Sequence, residues 1–212
     1  MYAISGLGAD YRVFEYLEID ADVVAIDWIT PKNHESIESY SLRLSSVIDT
    51  DEPFGIMGVS FGGLIAVEIS KILNPKFTII ISSAKTKKEL RKSIRLLGKT
   101  NIIKWIPIKL FNPPKKIAQY LFGAKNIALL NQILDDTDLV FAKWAVSELS
   151  MWKNEVEINN LLKISGTHDK LIPATQNDNA VLIEEGAHFM IVDLADEINL
   201  VINEFLVRLY GL

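Results

Sequence analysis

The feature that most restricts this chain's fold is a series of short, continuously apolar runs rich in β-branched residues. Tyr2-Ala3-Ile4, Val23-Val24-Ala25-Ile26, Phe54-Gly55-Ile56-Met57 and Phe77-Thr78-Ile79-Ile80-Ile81 are four of them, and Leu161 to Ile164 and Ala180 to Ile183 are two more. Runs of this length without polar alternation read as strands buried on both faces. Helical spacing fills the intervals. Ile37, Tyr40, Leu44 and Ile48 share one face, Asp10 is placed to cap a short helix holding Phe14 and Leu17, and Ile198, Val201, Ile202, Phe205 and Leu209 form a stripe that stops near Gly211. Strand–helix alternation of this kind predicts an α/β architecture, a mostly parallel six-stranded sheet with helices on both faces.

The alternation breaks once. From about 85 to 157 only helical patterns occur: Lys87 to Leu97, Lys115 to Phe122 after Pro113-Pro114, Asn126 to Leu134, and Asp138 to Trp152. We therefore expect a core formed by residues 1–84 and 158–212, interrupted by a helical cap insertion at 85–157. Placed between the fourth and fifth strands, the insertion would lie over their carboxyl ends, where open α/β sheets bind ligands.

Composition narrows the chemistry. The 212 residues include no cysteine, which excludes disulfides and thiol catalysis and points to a reducing compartment. No basic-then-apolar leader and no bilayer-length apolar run is present, so a cytoplasmic location is expected. The net charge of −5 is uneven, with eleven Lys and Arg against the single acid Glu89 between Lys85 and Lys116.

Gly58-Val59-Ser60-Phe61-Gly62-Gly63 is the central motif. An apolar strand runs into it and the helical spacing of Leu64, Val67, Ile69 and Ile72 runs out. A nucleophile held on so tight a strand-to-helix turn needs neighbours without side chains. A plain glycine turn with an incidental serine would use the same letters. A serine nucleophile also needs a base, and the base needs an orienting carboxylate. His188, in Gly186-Ala187-His188-Phe189, follows the last strand and precedes the last helix, and Asp169 follows the fifth strand. His34 and His168 read as solvated and structural respectively. Asp136, Asp138 and Asp193 fall in or at the caps of helical segments. Gly6-Leu7-Gly8 follows the first strand, so the amides of Leu7 and Phe61 are candidates for an oxyanion hole. A dinucleotide-binding loop is the rival reading of these glycines, with Asp27 about twenty residues on, but Tyr11 stands where the third glycine is required. No histidine pair or carboxylate cluster has metal-ligand spacing, and neither a metal nor a cofactor is expected.

These landmarks, Ser5-Gly6-Leu7-Gly8, Gly58 to Gly63, Gly166-Thr167-His168-Asp169 with Ile172-Pro173, and Gly186 to Phe189, resemble those of the α/β-hydrolase superfamily in the same order. The resemblance covers nearly the whole chain outside the insertion and looks closest to small bacterial members. It implies a serine hydrolase that cleaves an ester or thioester by acyl-enzyme chemistry, with Ser60 as nucleophile, His188 as base and Asp169 as its orienter. Two departures stand out. Ser5 occupies the position where the family often has histidine, and the chain starts at what resembles the family's third strand, so a trimmed sheet is expected. Trp105, Ile106 and Phe111 are candidate acyl-pocket residues, and Arg91, Lys92 and Arg95 are candidates to meet an acidic acyl carrier or a coenzyme A thioester. Nucleic acid is not an expected partner, and membrane contact is not expected either. Two other functions suit the same sequence: a non-catalytic ligand-sensing or partner-binding protein on this fold, and a membrane-surface protein docking through its basic cap with Ile102 to Ile106.

Overall fold

The computed structural model describes residues 1–100, 102–175 and 179–211. Its six strands are β1 (Tyr2–Ile4), β2 (Val24–Ile26), β3 (Gly55–Val59), β4 (Phe77–Ile81), β5 (Leu161–Gly166) and β6 (Val181–Ile183). They form one sheet in the order β2-β1-β3-β4-β5-β6, and every neighbouring pair is parallel. Chain order reverses at β1, which lies between β2 and β3, and this opens a crevice at the carboxyl ends of the strands.

The strands are continuously apolar because both faces are covered. All five residues of β3 and of β4 are buried. Alternate side chains join opposite cores. Met57, Val59, Phe77, Ile79 and Ile81 pack on one side with Phe14, Ile198 and Ile202. Ile4, Ile56 and Ile80 pack on the other with Tyr40, Leu64 and Ile65. Each such side chain contributes roughly 1.5–3 kcal/mol of burial. A one-residue slip would exchange the two faces, so the register is strongly specified.

Four helices cover the sheet: α1 (Ile37–Leu44), α2 (Phe61–Leu73), the single turn α7 (Met190–Asp193) and α8 (Ala195–Tyr210). In chain order the others are α3 (Lys92–Lys99), α4 (Lys115–Phe122), α5 (Ile127–Asp136) and α6 (Leu139–Met151), all between β4 and β5. Tight 3-10 turns at Lys87–Glu89, Ile102–Trp105 and Ile108–Phe111 complete that stretch, which contains no strand among the described residues. The helix expected over Lys87 to Leu97 is broken. Leu90 is buried and its backbone is extended, with ψ 140°, so the chain bends inward there before α3 begins. Glu89 supplies the polar side of the bend, accepting from the Lys85 amide at 2.9 Å and pairing with the buried Lys163 at 2.6 Å. Among the described residues no helix is long and apolar enough to cross a membrane.

Candidate active site

β3 ends one residue before Ser60, and α2 begins one residue after it. Ser60 therefore has to turn the chain in a single step, and it does so at φ 52° and ψ −120°, a region that side chains normally avoid. The surroundings hold it there. Its N–H donates to the Ile81 carbonyl at 2.9 Å, continuing the ladder with β4, and the Ser83 hydroxyl donates to its carbonyl at 2.6 Å. The flanking glycines leave no room for substitution. A Cβ on Gly62 would lie 2.1 Å from the Ser5 carbonyl oxygen, and one on Gly58 would lie 2.3 Å from that of Gly62.

Asp169 and His188 come from the loops that follow β5 and β6. The two loops are tied together: the Thr167 N–H donates to the Ile183 carbonyl at 3.0 Å, and the His168 N–H donates to the Gly186 carbonyl at 2.9 Å. The His188 Nδ1 lies 2.8 Å from Asp169 Oδ2, and its Nε2 lies 2.8 Å from Ser60 Oγ. A carboxylate only accepts, so the ring proton sits on Nδ1 and Nε2 accepts from the serine hydroxyl. The other carboxylate oxygen of Asp169 accepts the amides of Leu171 at 2.8 Å and Ile172 at 2.9 Å. Asp169 and His188 are both buried, and Phe122 stands edge-on to the imidazole with ring centroids 5.4 Å apart.

The remaining histidines and acids have other places. His34 and His168 are exposed. Asp136 pairs with Arg12, Asp138 caps α6, and Asp193 accepts the amides of Lys125 and Asn126.

The turn after β1 lies beside the serine, since a Cβ on Gly6 would sit 3.4 Å from the Ser60 Cβ. Phe61 is the first residue of α2, so its N–H has no acceptor within the helix. The turn is steadied where the sequence left its support open. The Ser5 hydroxyl donates to the Ala9 carbonyl at 2.7 Å, and the Trp28 indole N–H donates to the same oxygen at 3.0 Å.

Ser60, His188, Leu7 and Phe61 open onto a cavity of about 320 Å³. That volume is at the small end of ligand pockets, roughly 300–1,000 Å³. Its wall is almost entirely apolar. Val13 and Ile172 come from the core side, Leu130, Ile133 and Leu134 from α5, Val146 and Leu149 from α6, and Ile94 and Leu97 from α3. Phe111 joins this wall, whereas Trp105, Ile106, Arg91, Lys92 and Arg95 do not line it. Trp105 is 86% exposed, and the Arg91 guanidinium donates to the Lys170 carbonyl. Sequence reasoning missed the α5 and α6 walls. Leu130, Ile133 and Leu134 do have the spacing of one helical face, but the same spacing serves a core contact equally well.

No protein-family model matches the chain, and no curated sequence reaches a significant match. Solved structures do. MenH from S. aureus superposes with a TM-score of 0.70 at 18% identity, over 99% of this chain and 93% of that one. The enol-lactonase from Burkholderia xenovorans LB400 gives 0.70 at 18% identity, over 97% and 91%. A thermophilic esterase from Thermogutta terrifontis gives 0.71 at 10% identity, over 98% and 89%. The fold is the α/β-hydrolase fold.

Proposed function

We propose that this protein is a serine hydrolase that cleaves ester or thioester bonds of substrates with an apolar acyl group. The observation that carries this reading is the hydrogen-bonded chain from Ser60 through His188 to Asp169, with 2.8 Å at each link, at the floor of an apolar cavity. The structures similar to this chain include esterases and an enol-lactonase, which agrees with a hydrolytic role.

The geometry supports acyl-enzyme chemistry. As Ser60 Oγ attacks the acyl carbon, its proton passes to His188 Nε2. Asp169 stabilises the resulting imidazolium and keeps the ring aligned. The carbonyl oxygen gains negative charge, which the N–H groups of Leu7 and Phe61 receive; one such donor typically contributes about 2.7–4 kcal/mol in the transition state. Collapse of the intermediate breaks the ester or thioester bond, and the imidazolium protonates the departing alcohol or thiol. Water then attacks the acyl-serine, giving its proton to His188, and the acid is released with Ser60 restored. The acyl chain lies in the cavity, roofed by α3, α5 and α6, so the helical stretch between β4 and β5 acts as a cap over the site.

A fluorophosphonate probe and a series of p-nitrophenyl esters of graded chain length test the reading. The parent protein should be labelled and should prefer acyl groups that fill the cavity. The Ser60→Ala variant should do neither while melting at the same temperature. Labelling that persists in that variant would remove Ser60 from the mechanism.

A further inference from the structure

The cap has a second face that the reaction does not use. The segments of α3 and of the 3-10 turns 102–105 and 108–111 all pack on α6, with Ile94, Leu97 and Phe111 turned toward the cavity. Several of their other side chains are bare, although Ile103 is buried. Trp105 is 86% exposed, Leu110 69%, Leu96 63% and Ile102 50%, and α4 adds Tyr120 at 66%. No residue of α3 or of the 108–111 turn is buried. Burying such side chains is favourable, and Leu96 and Leu110 stand next in the chain to the cavity-lining Leu97 and Phe111, so this concentration of exposed apolar groups suits a contact surface.

Charge narrows the occupant. Between Glu89 and Asp135 the chain carries nine Lys and Arg and not one carboxylate. Lys115 pairs with Asp135 and Arg91 bonds a carbonyl, but Lys92, Lys99, Lys104, Lys109 and Lys116 have no ion pair among the described residues. These lysines alternate with Leu96, Ile102, Trp105 and Leu110 along the chain. A second copy of the protein would bring the same positive charge against this face. An acidic carrier protein would satisfy the lysines, but would cover the apolar side chains only where its own surface offered apolar groups. A bilayer with anionic headgroups satisfies both, because lysine ammoniums reach the phosphate level while tryptophan and leucine enter the acyl boundary.

We infer that the outer face of the cap docks on anionic membrane surfaces and admits acyl substrates from the bilayer into the cavity beneath it. This takes up the membrane-docking alternative of the sequence reading in place of its first expectation of no membrane contact. The substrate half rests on the proposed hydrolase reading; the docking half does not.

The test uses the full chain carrying Ser60→Ala, sedimented with vesicles of equal parts phosphatidylcholine and phosphatidylserine, or of phosphatidylcholine alone. Binding should require phosphatidylserine and weaken as salt rises. Serine at Lys99, Lys104 and Lys109 should each cost about fivefold in affinity, from ~1 kcal/mol per cation at an anionic surface. Trp105→Ser with Leu110→Ser should abolish binding. With Ser60 intact, Trp105→Ser should leave hydrolysis of a water-soluble short ester unchanged and slow that of a long-chain ester held in the anionic vesicles. Failure to bind these vesicles, or binding indifferent to the Trp105 and Leu110 changes, overturns the docking. So does a dimer that the same changes make monomeric, or binding of acyl carrier protein with none to vesicles. Vesicle binding by a protein that cleaves neither ester would instead refute the hydrolase reading and the substrate half with it.

Discussion

Replacing Asp169 by Asn separates the orienting role proposed for the carboxylate from its packing. The side chain divides its two oxygens: Oδ1 accepts the amides of Leu171 at 2.8 Å and Ile172 at 2.9 Å, and Oδ2 faces His188 Nδ1 at 2.8 Å. In the variant the amide oxygen must take the Oδ1 position, since an NH₂ there would face two backbone donors. The NH₂ then faces Nδ1 and obliges it to accept. The ring proton moves to Nε2, which can no longer receive the proton of Ser60. The opposite orientation would leave two N–H groups without acceptors, that of Ile172 buried and that of Leu171 partly so, at about 1–3 kcal/mol each or roughly 2–6 kcal/mol together. At ~1.36 kcal/mol per tenfold, that penalty confines productive molecules to about one in thirty at best and fewer than one in ten thousand at worst. The expected loss in kcat/KM on p-nitrophenyl butyrate is about three to four orders of magnitude, in line with the wrong-tautomer effect in serine proteases. Near-ultraviolet circular dichroism should be unchanged, because the two side chains are almost the same shape. Activity within tenfold of the parent would mean that another carboxylate orients His188, and the reasoning would fail.

Three further outcomes follow from packing and charge. Gly62→Ala would drive a Cβ to 2.1 Å from the Ser5 carbonyl oxygen, so the elbow and the loop bearing Leu7 must part; we expect about 1–3 kcal/mol of lost stability and at least ~100-fold slower ester cleavage, and full activity would contradict the packing. Trp152→Phe removes the indole donor 2.8 Å from the buried Glu68 carboxylate, costing about 1.5–3 kcal/mol in urea denaturation, with an unchanged midpoint as the contrary result. The Arg43 guanidinium holds the Glu35 carboxyl below the usual glutamate range, chiefly by direct hydrogen bonding. Its folded-state pKa is depressed, so the stability it contributes is present above the unfolded value and is lost as pH falls through the folded one. Arg43→Met should therefore lower the urea midpoint near neutral pH, and the gap should narrow below about pH 4; a gap independent of pH would show that Glu35 is not held by this contact.

The sheet was legible because its strands are buried on both faces, so Ile79-Ile80-Ile81 could hardly be anything but interior. The positions of Ser60, Asp169 and His188 were legible for a related reason. In a parallel sheet every strand ends at the same edge, so residues just past three different strands meet. What the sequence hid depended on contacts between distant segments. Leu90 bends the chain because a buried site awaits it, which propensity within Lys87 to Leu97 does not reveal. Apolar character alone makes Trp105, Ile106 and Phe111 equal pocket candidates, yet Phe111 lines the cavity and Trp105 faces out. The support of the turn after β1, through Ser5 and Trp28 on one carbonyl, joins residues far apart in the chain and no short motif encodes it.

The serine and its two partners are rooted in parts of the sheet with unequal resistance to opening. Ser60 stands on β3, flanked by β1 and β4 and buried throughout, whereas His188 hangs from β6, a three-residue strand at the edge. The loops of Asp169 and His188 are laced to each other through Thr167, His168, Ile183 and Gly186, so they would leave together. Edge strands fray at free energies below that of global unfolding. Fraying of β6 would carry His188 away from Ser60 while the central strands and α2 stayed intact. Heat or denaturant should therefore silence the site before the helical signal falls, and the protein's working range is set by its weakest strand and not by its core.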